Sequence, residues 1–88
     1  MPIELKSYDG SSVESAIRIE ADNTRIGINM EHRILSQLYP GYVFEMQALI
    51  FLPDRSERFD RMTIITTEGE KKDVYFDITS FFGKLPVM

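Results

Sequence analysis

The sequence predicts an α+β domain, with one principal helix packed on an antiparallel sheet. Three observations carry that prediction. Apolar residues recur four apart over residues 26–38, they alternate with polar ones from residue 42 onward, and two turn-forming segments, 53–58 and 68–71, divide that second stretch into three. Three consecutive strands joined by short loops form a meander. A helix laid on one of its faces buries both apolar surfaces at once. With 88 residues, a single domain over 1–88 is expected.

Taken in order, residues 3–8 alternate Ile3 and Leu5 with Glu4 and Lys6, the period-two pattern of a half-buried strand. Asp9-Gly10-Ser11-Ser12 breaks it with turn chemistry, and Ser11-Ser-Val-Glu14 matches a capping box. Residues 16–21 fit either a helical face (Val13, Ile17, Ala21) or a strand (Ile17, Ile19), and the reading adopted is a short helical turn followed by a strand. The sheet is therefore allowed one or two N-terminal strands.

Asp22, Asn23 and Thr24 are all competent N-caps for the main helix, expected at about 23–39. Ile26, Met30, Ile34 and Leu38, with Leu35 beside them, are expected to face the core, and Arg25, Glu31 and Arg33 to face away. Pro40-Gly41 ends the helix, because proline disfavours helix at Tyr39 and glycine permits the reversal. Strands are expected at about 42–52, 59–67 and 71–79. In the first, Phe44, Met46, Ala48, Ile50 and Leu52 share a face, opposite Leu49 and Phe51. The last sets Val74, Phe76 and Ile78 against Asp73, Tyr75 and Asp77. Gly69 suits the positive φ of the hairpin between the last two.

Gly10-Ser-Ser-Val-Glu-Ser-Ala-Ile-Arg-Ile19 and Val74-Tyr-Phe-Asp-Ile-Thr-Ser-Phe-Phe-Gly-Lys84 together resemble a group of small uncharacterised bacterial proteins. These share a Gly-Ser-Ser…Glu…Ala-Ile-x-Ile start and a Tyr-Phe-Asp-Ile-Ser/Thr…Phe-Gly-Lys end. The resemblance implies a compact bacterial domain and brings no activity or functional residue with it.

Composition narrows the chemistry. Ten Lys and Arg against fourteen Asp and Glu give a net charge of −4, evenly spread, which opposes general phosphate binding. The absence of cysteine excludes disulfides, thiolate metal sites and a cysteine nucleophile. The five glycines are isolated, so no phosphate-cradling loop exists, and no nucleophile-elbow or zinc-protease motif occurs. The first ten residues hold no apolar signal region, and no apolar stretch approaches the ~20 residues that span a bilayer. A cytoplasmic location without membrane contact is expected.

His32, the single histidine, is a candidate acid–base group if a carboxylate reaches it, although a helix-flank position without chemistry is the simpler reading. Asp73 and Asp77 share a strand face. At ~3.3 Å per residue they stand about 13 Å apart, too far to pair, and Asp77 is better placed to cap the turn at Thr79 and Ser80. Arg55, Arg58 and Arg61 flank Phe59 as RNA-contacting residues do, but Asp54, Glu57 and Asp60 cancel their field. No catalytic, cofactor-binding or metal-ligating residue is assigned, and no cofactor is expected. The leading expectation is a small non-catalytic protein-interaction module, an inhibitor or immunity-type protein being one version. Its interface would comprise Leu49, Phe51, Arg55, Arg58, Tyr75, Phe81 and Phe82, and its partner another protein or a second copy of the chain. One helix covers one sheet face, so Tyr75, Phe81, Phe82, Leu85, Val87 and Met88 need a second cover, from the C-terminal segment or from a homodimer. The alternatives are a small enzyme or ligand-binding domain using His32 with a carboxylate, and nucleic-acid binding through the arginine-bearing loop.

Overall fold

The structure, a computed structural model, describes residues 8–85. It is an α+β fold of one helix on a four-stranded mixed sheet: β1 (Ile17–Arg18), α1 (Thr24–Leu38), β2 (Val43–Phe51), β3 (Arg58–Ile65) and β4 (Lys71–Asp77). The strands lie in the order β1-β4-β3-β2. The expected meander is present as β2-β3-β4, antiparallel throughout.

The N-terminal part departs from the expectation. The strand expected over residues 3–8 lies outside the described residues except for Tyr8, which belongs to no element. Residues 11–15 form turns rather than a capped helix; Ser12 Oγ, not Ser11, accepts from the Ser15 amide at 3.2 Å. The chain then enters β1, which pairs parallel with β4 and makes the sheet mixed rather than wholly antiparallel. Gly10 permits this docking. Its φ is +80°, its carbonyl accepts from the Tyr75 amide at 2.7 Å, and a Cβ there would stand 2.7 Å from a Val74 methyl.

Asn23 is the cap that is used: its Oδ1 accepts from the Ile26 amide at 3.0 Å. The helix stops as expected, with the Tyr39 amide returning to the Leu35 carbonyl and Gly41 at φ +79°. Its orientation, however, is rotated from the expected one. The buried stripe is Gly27, Glu31 and Leu35; Met30 and Ile34 pack against the core beside it as expected, while Ile26 and Leu38 are exposed. Gly27 is the cause. The Phe81 ring lies where a Cβ on residue 27 would be, 2.4 Å from that position. The helix therefore turns its side-chain-free notch onto the ring and brings Glu31, expected to face solvent, into the interior.

The second departure is in β2. Phe44 pairs with Ile64 but Met46 pairs with Thr63, so Glu45 is a bulge residue. The bulge reverses the alternation: Phe44, Gln47, Leu49 and Phe51 share the face of Ile64, Met62 and Asp60, and Met46, Ala48 and Ile50 take the other. Leu49 and Phe51 thus lie with Phe44 on the helix side rather than opposite it. Glu45 itself bonds Lys71 Nζ at 3.1 Å.

The core sits between α1 and the β3–β4 half of the sheet. Leu35, Met62, Ile64, Val74, Phe76, Ile78 and Phe81 are buried there with Ile19. The turn after β4 seals one end. Asp77 caps it as expected, accepting from the Thr79 amide (3.0 Å) and hydroxyl (2.6 Å). Ser80 Oγ donates to the Ile19 carbonyl (2.7 Å) and accepts from the Ala21 amide (3.1 Å), and the Lys84 carbonyl accepts from the Thr24 amide at the start of the helix.

Candidate functional site

The helix covers β4 and β3 but leaves β2 only partly roofed. A groove therefore runs between α1 and β2. The short connection over residues 39–42 makes β2 double back along the helix. His32 thus meets Tyr42 and Phe44 at one end, and Ile28 stands near Leu49 toward the other. Phe44, Leu49, Phe51, Phe82 and Ile28, all bordering this groove, remain 39–54% exposed. Among the described residues β2 is also an edge strand, with no strand on its outer side, and it carries exposed Val43 and Met46 on its other face.

In the middle the groove deepens to a cavity of about 200 Å³ between Ile28, Gln47, Leu49, Phe81 and Phe82. Asp60 lies in its floor, 3% exposed, and Glu31 reaches down from α1 beside it, fully buried. Neither Glu31 oxygen has a hydrogen-bond donor. Burial first, and then the Asp60 carboxylate, which accepts a hydrogen bond from the protonated form and repels the ionised one, push the Glu31 carboxyl up to about 9. The Glu31 carboxyl consequently keeps its proton near neutral pH.

At the far end Phe51 and Phe82 meet edge to face, with ring centroids 6.0 Å apart. The Arg58 guanidinium stacks over both, 4.6 Å from the Phe51 centroid and 5.6 Å from that of Phe82. Four of the expected interface residues, Leu49, Phe51, Arg58 and Phe82, are therefore brought together along one groove. The other three are not. Phe81 is a core residue, 2% exposed under Gly27, and reaches the groove only as an inner wall of its cavity. Tyr75 is half-buried on the opposite sheet face, and Arg55 covers Phe59, also on that face, at 5.7 Å.

His32 Nδ1 lies 2.6 Å from the Tyr42 hydroxyl, and the two rings stack. Its hydrogen-bonding partner is thus a phenol rather than a carboxylate. Asp73 accepts from the Thr63 hydroxyl at 2.7 Å, and Asp77 is occupied by its turn. Arg55 pairs with Glu57 at 3.0 Å, and Arg58 Nη1 donates to the carbonyls of Ser56 and Glu57, while the buried Nε atoms of Arg58 and Arg61 have no hydrogen-bond partner among the described residues. Among the described residues no cluster of three or more His, Cys, Asp or Glu could hold a metal ion, and no helix is long and apolar enough to cross a membrane.

Glu31 and Asp60 are the site residues that sequence reading missed. A signal existed for Asp60, which is in phase with Met62 and Ile64 along β3 and so belongs to the core-facing set. For Glu31 the signal is weaker: the spacing Gly27, Glu31, Leu35 marks a helix stripe whose first member has no side chain to count. A larger open depression, about 750 Å³, lies by Tyr8, Glu14, Arg18, Arg55 and Asp77. Its charges are matched locally, Arg18 by Glu20 and Arg55 by Glu57. Comparison with known proteins returns no matching family model, no matching curated sequence and no matching solved structure.

Proposed function

We propose that this protein is a small non-catalytic interaction module, an inhibitor or immunity-type protein being one version, that docks another protein or a second copy of itself along β2 and the groove beside it. One observation carries the reading: β2, an edge strand among the described residues, bears exposed apolar side chains on both faces, Val43 and Met46 on one, Phe44, Leu49 and Phe51 on the other. Isolated exposed apolar residues are ordinary, but a continuous strip on an unpaired edge invites strand addition. Aromatic and arginine side chains at its end, Phe51, Phe82 and Arg58, are of the kind that anchor interfaces. An acidic surface suits a basic partner.

The test is the paired variant Val43→Lys, Met46→Lys, which charges the outer face of the edge and leaves the α1 core untouched. Association is read by sedimentation across the micromolar range and by recovery of a crosslinked partner from cells. Loss of either association in the variant, with its melting temperature preserved, supports the reading. A protein that stays monomeric and captures nothing, or whose complex is unchanged in the variant, overturns it.

A further inference from the structure

We propose that the cavity between α1 and β2 receives one lysine or arginine side chain of the docked protein, its aliphatic stem along Ile28, Leu49 and Phe82 and its cationic head on the Asp60 carboxylate, which Glu31 backs. The inference rests on the interaction reading above and specifies what the partner presents.

Three features of the site select that occupant. Its volume, about 200 Å³, lies below the ~300–1,000 Å³ of pockets that hold drug-sized ligands, so it suits a single side chain. The walls are apolar and the floor is acidic, which matches a side chain apolar along its stem and charged at its tip. The third feature is burial: Asp60, 3% exposed, floors the cavity, and beside it Glu31 is fully buried with no hydrogen-bond partner for either oxygen among the described residues. A buried carboxyl without a donor is costly and is satisfied by an incoming N–H. The Gln47 side chain, also lining the cavity, can bond the remaining donors.

The occupant is tested with capped amino acids on the unaltered protein, so that no variant has to fold. Nα-acetyl-lysine, -arginine and -norleucine N-methylamides are titrated while backbone amide shifts are followed by NMR. Lysine and norleucine analogues share the stem and differ in the charge. The expected result is saturating shifts centred on Ile28, Gln47, Leu49 and Asp60 with a basic analogue, at least tenfold weaker with norleucine. Asp60→Asn is expected to erase the preference, and Glu31→Gln to weaken it. Preference for the lysine or for the arginine analogue names the head group, and either supports the proposal. Equal response to all three analogues makes the cavity a plain apolar pocket and overturns it, as does no response. These outcomes are separate from the Val43, Met46 test: association lost in that variant alongside a charge-blind cavity rejects the basic occupant and keeps the interaction module.

Discussion

The two halves of the sheet on the helix side are equally apolar in sequence and oppositely disposed in the fold. Under α1, Met62, Ile64, Val74 and Phe76 are sealed at 0–2% exposure, whereas Phe44, Leu49 and Phe51 on β2 retain 41–54%. The difference is one of cover. A helix with its side chains is about 10 Å across and strands are about 4.8 Å apart, so one helix roofs little more than two strands. The β3–β4 half takes that roof, and its residues supply stability. Those of β2 are left to seek cover elsewhere, which is what makes them a candidate surface. Apolar content alone does not separate a core from an interface; the supply of covering elements does.

Breaking the sealed half gives the largest expected effect. Phe76→Ala should cost about 3–5 kcal/mol in urea unfolding, because a fully buried ring leaves a cavity. A loss similar to that of an exposed residue would erase the distinction between the halves. Gly27→Ala comes next. It gains about 1 kcal/mol of helix propensity but places a methyl 2.4 Å from the Phe81 ring, an overpacking that costs about 1–3 kcal/mol or more. Net destabilisation is expected, with relief in a Phe81→Leu background. Stabilisation by Gly27→Ala alone would show that the ring does not fix the helix orientation.

Glu31 tests the boundary between the halves. Its carboxyl titrates at 4.5 when unperturbed and at about 9 in the fold. Between those values the unfolded chain has released the proton and the folded protein still holds it. Stability therefore falls as pH rises through this window, by about 1.4 kcal/mol per pH unit from this group. Glu31→Gln, which donates to Asp60 without needing a proton, should flatten that slope and raise the melting temperature on the alkaline side. An unchanged pH profile would mean that Glu31 is not confined beside Asp60. The smallest effect belongs to the open half: Leu49→Ser should shift stability by less than about 1 kcal/mol while weakening association. A cost of several kcal/mol would place Leu49 in the monomer's own core.

The element boundaries were largely legible because period and punctuation agree. Asn23 and Pro40-Gly41 bracket the helix, and Gly69, at φ +86°, marks the last hairpin. Orientation was less legible. Helical periodicity cannot weigh a residue without a side chain, so Gly27 carried no vote although its contact with Phe81 sets the rotation, and a glutamate is ordinarily assigned to water. In β2, the apolar run on both sides of Glu45 reads as unbroken alternation whether or not a bulge intervenes. The β1 pairing was hidden because Ile17 meets Phe76 across most of the chain, a contact no local pattern records. These same two misreadings, of Gly27 and Glu45, conceal Glu31 and Leu49, so the candidate site was less legible than the fold around it.

The bulge at Glu45 also determines how β2 tolerates changes in length. Deleting Glu45 would remove the bulge and leave the facing pairs as they are, because Phe44 already pairs with Ile64 and Met46 with the adjacent Thr63. Drawing a retained Glu45 into the ladder, with the register beyond it fixed by β3, would instead carry Phe44 to the opposite face. A residue lost from the 53–57 connection leaves every facing pair of the β2–β3 ladder as it was. Loss of one residue should therefore be accepted in that loop and at position 45 alike, whereas a change that pairs Glu45 into the ladder would move Phe44 from His32 to the far side of the sheet.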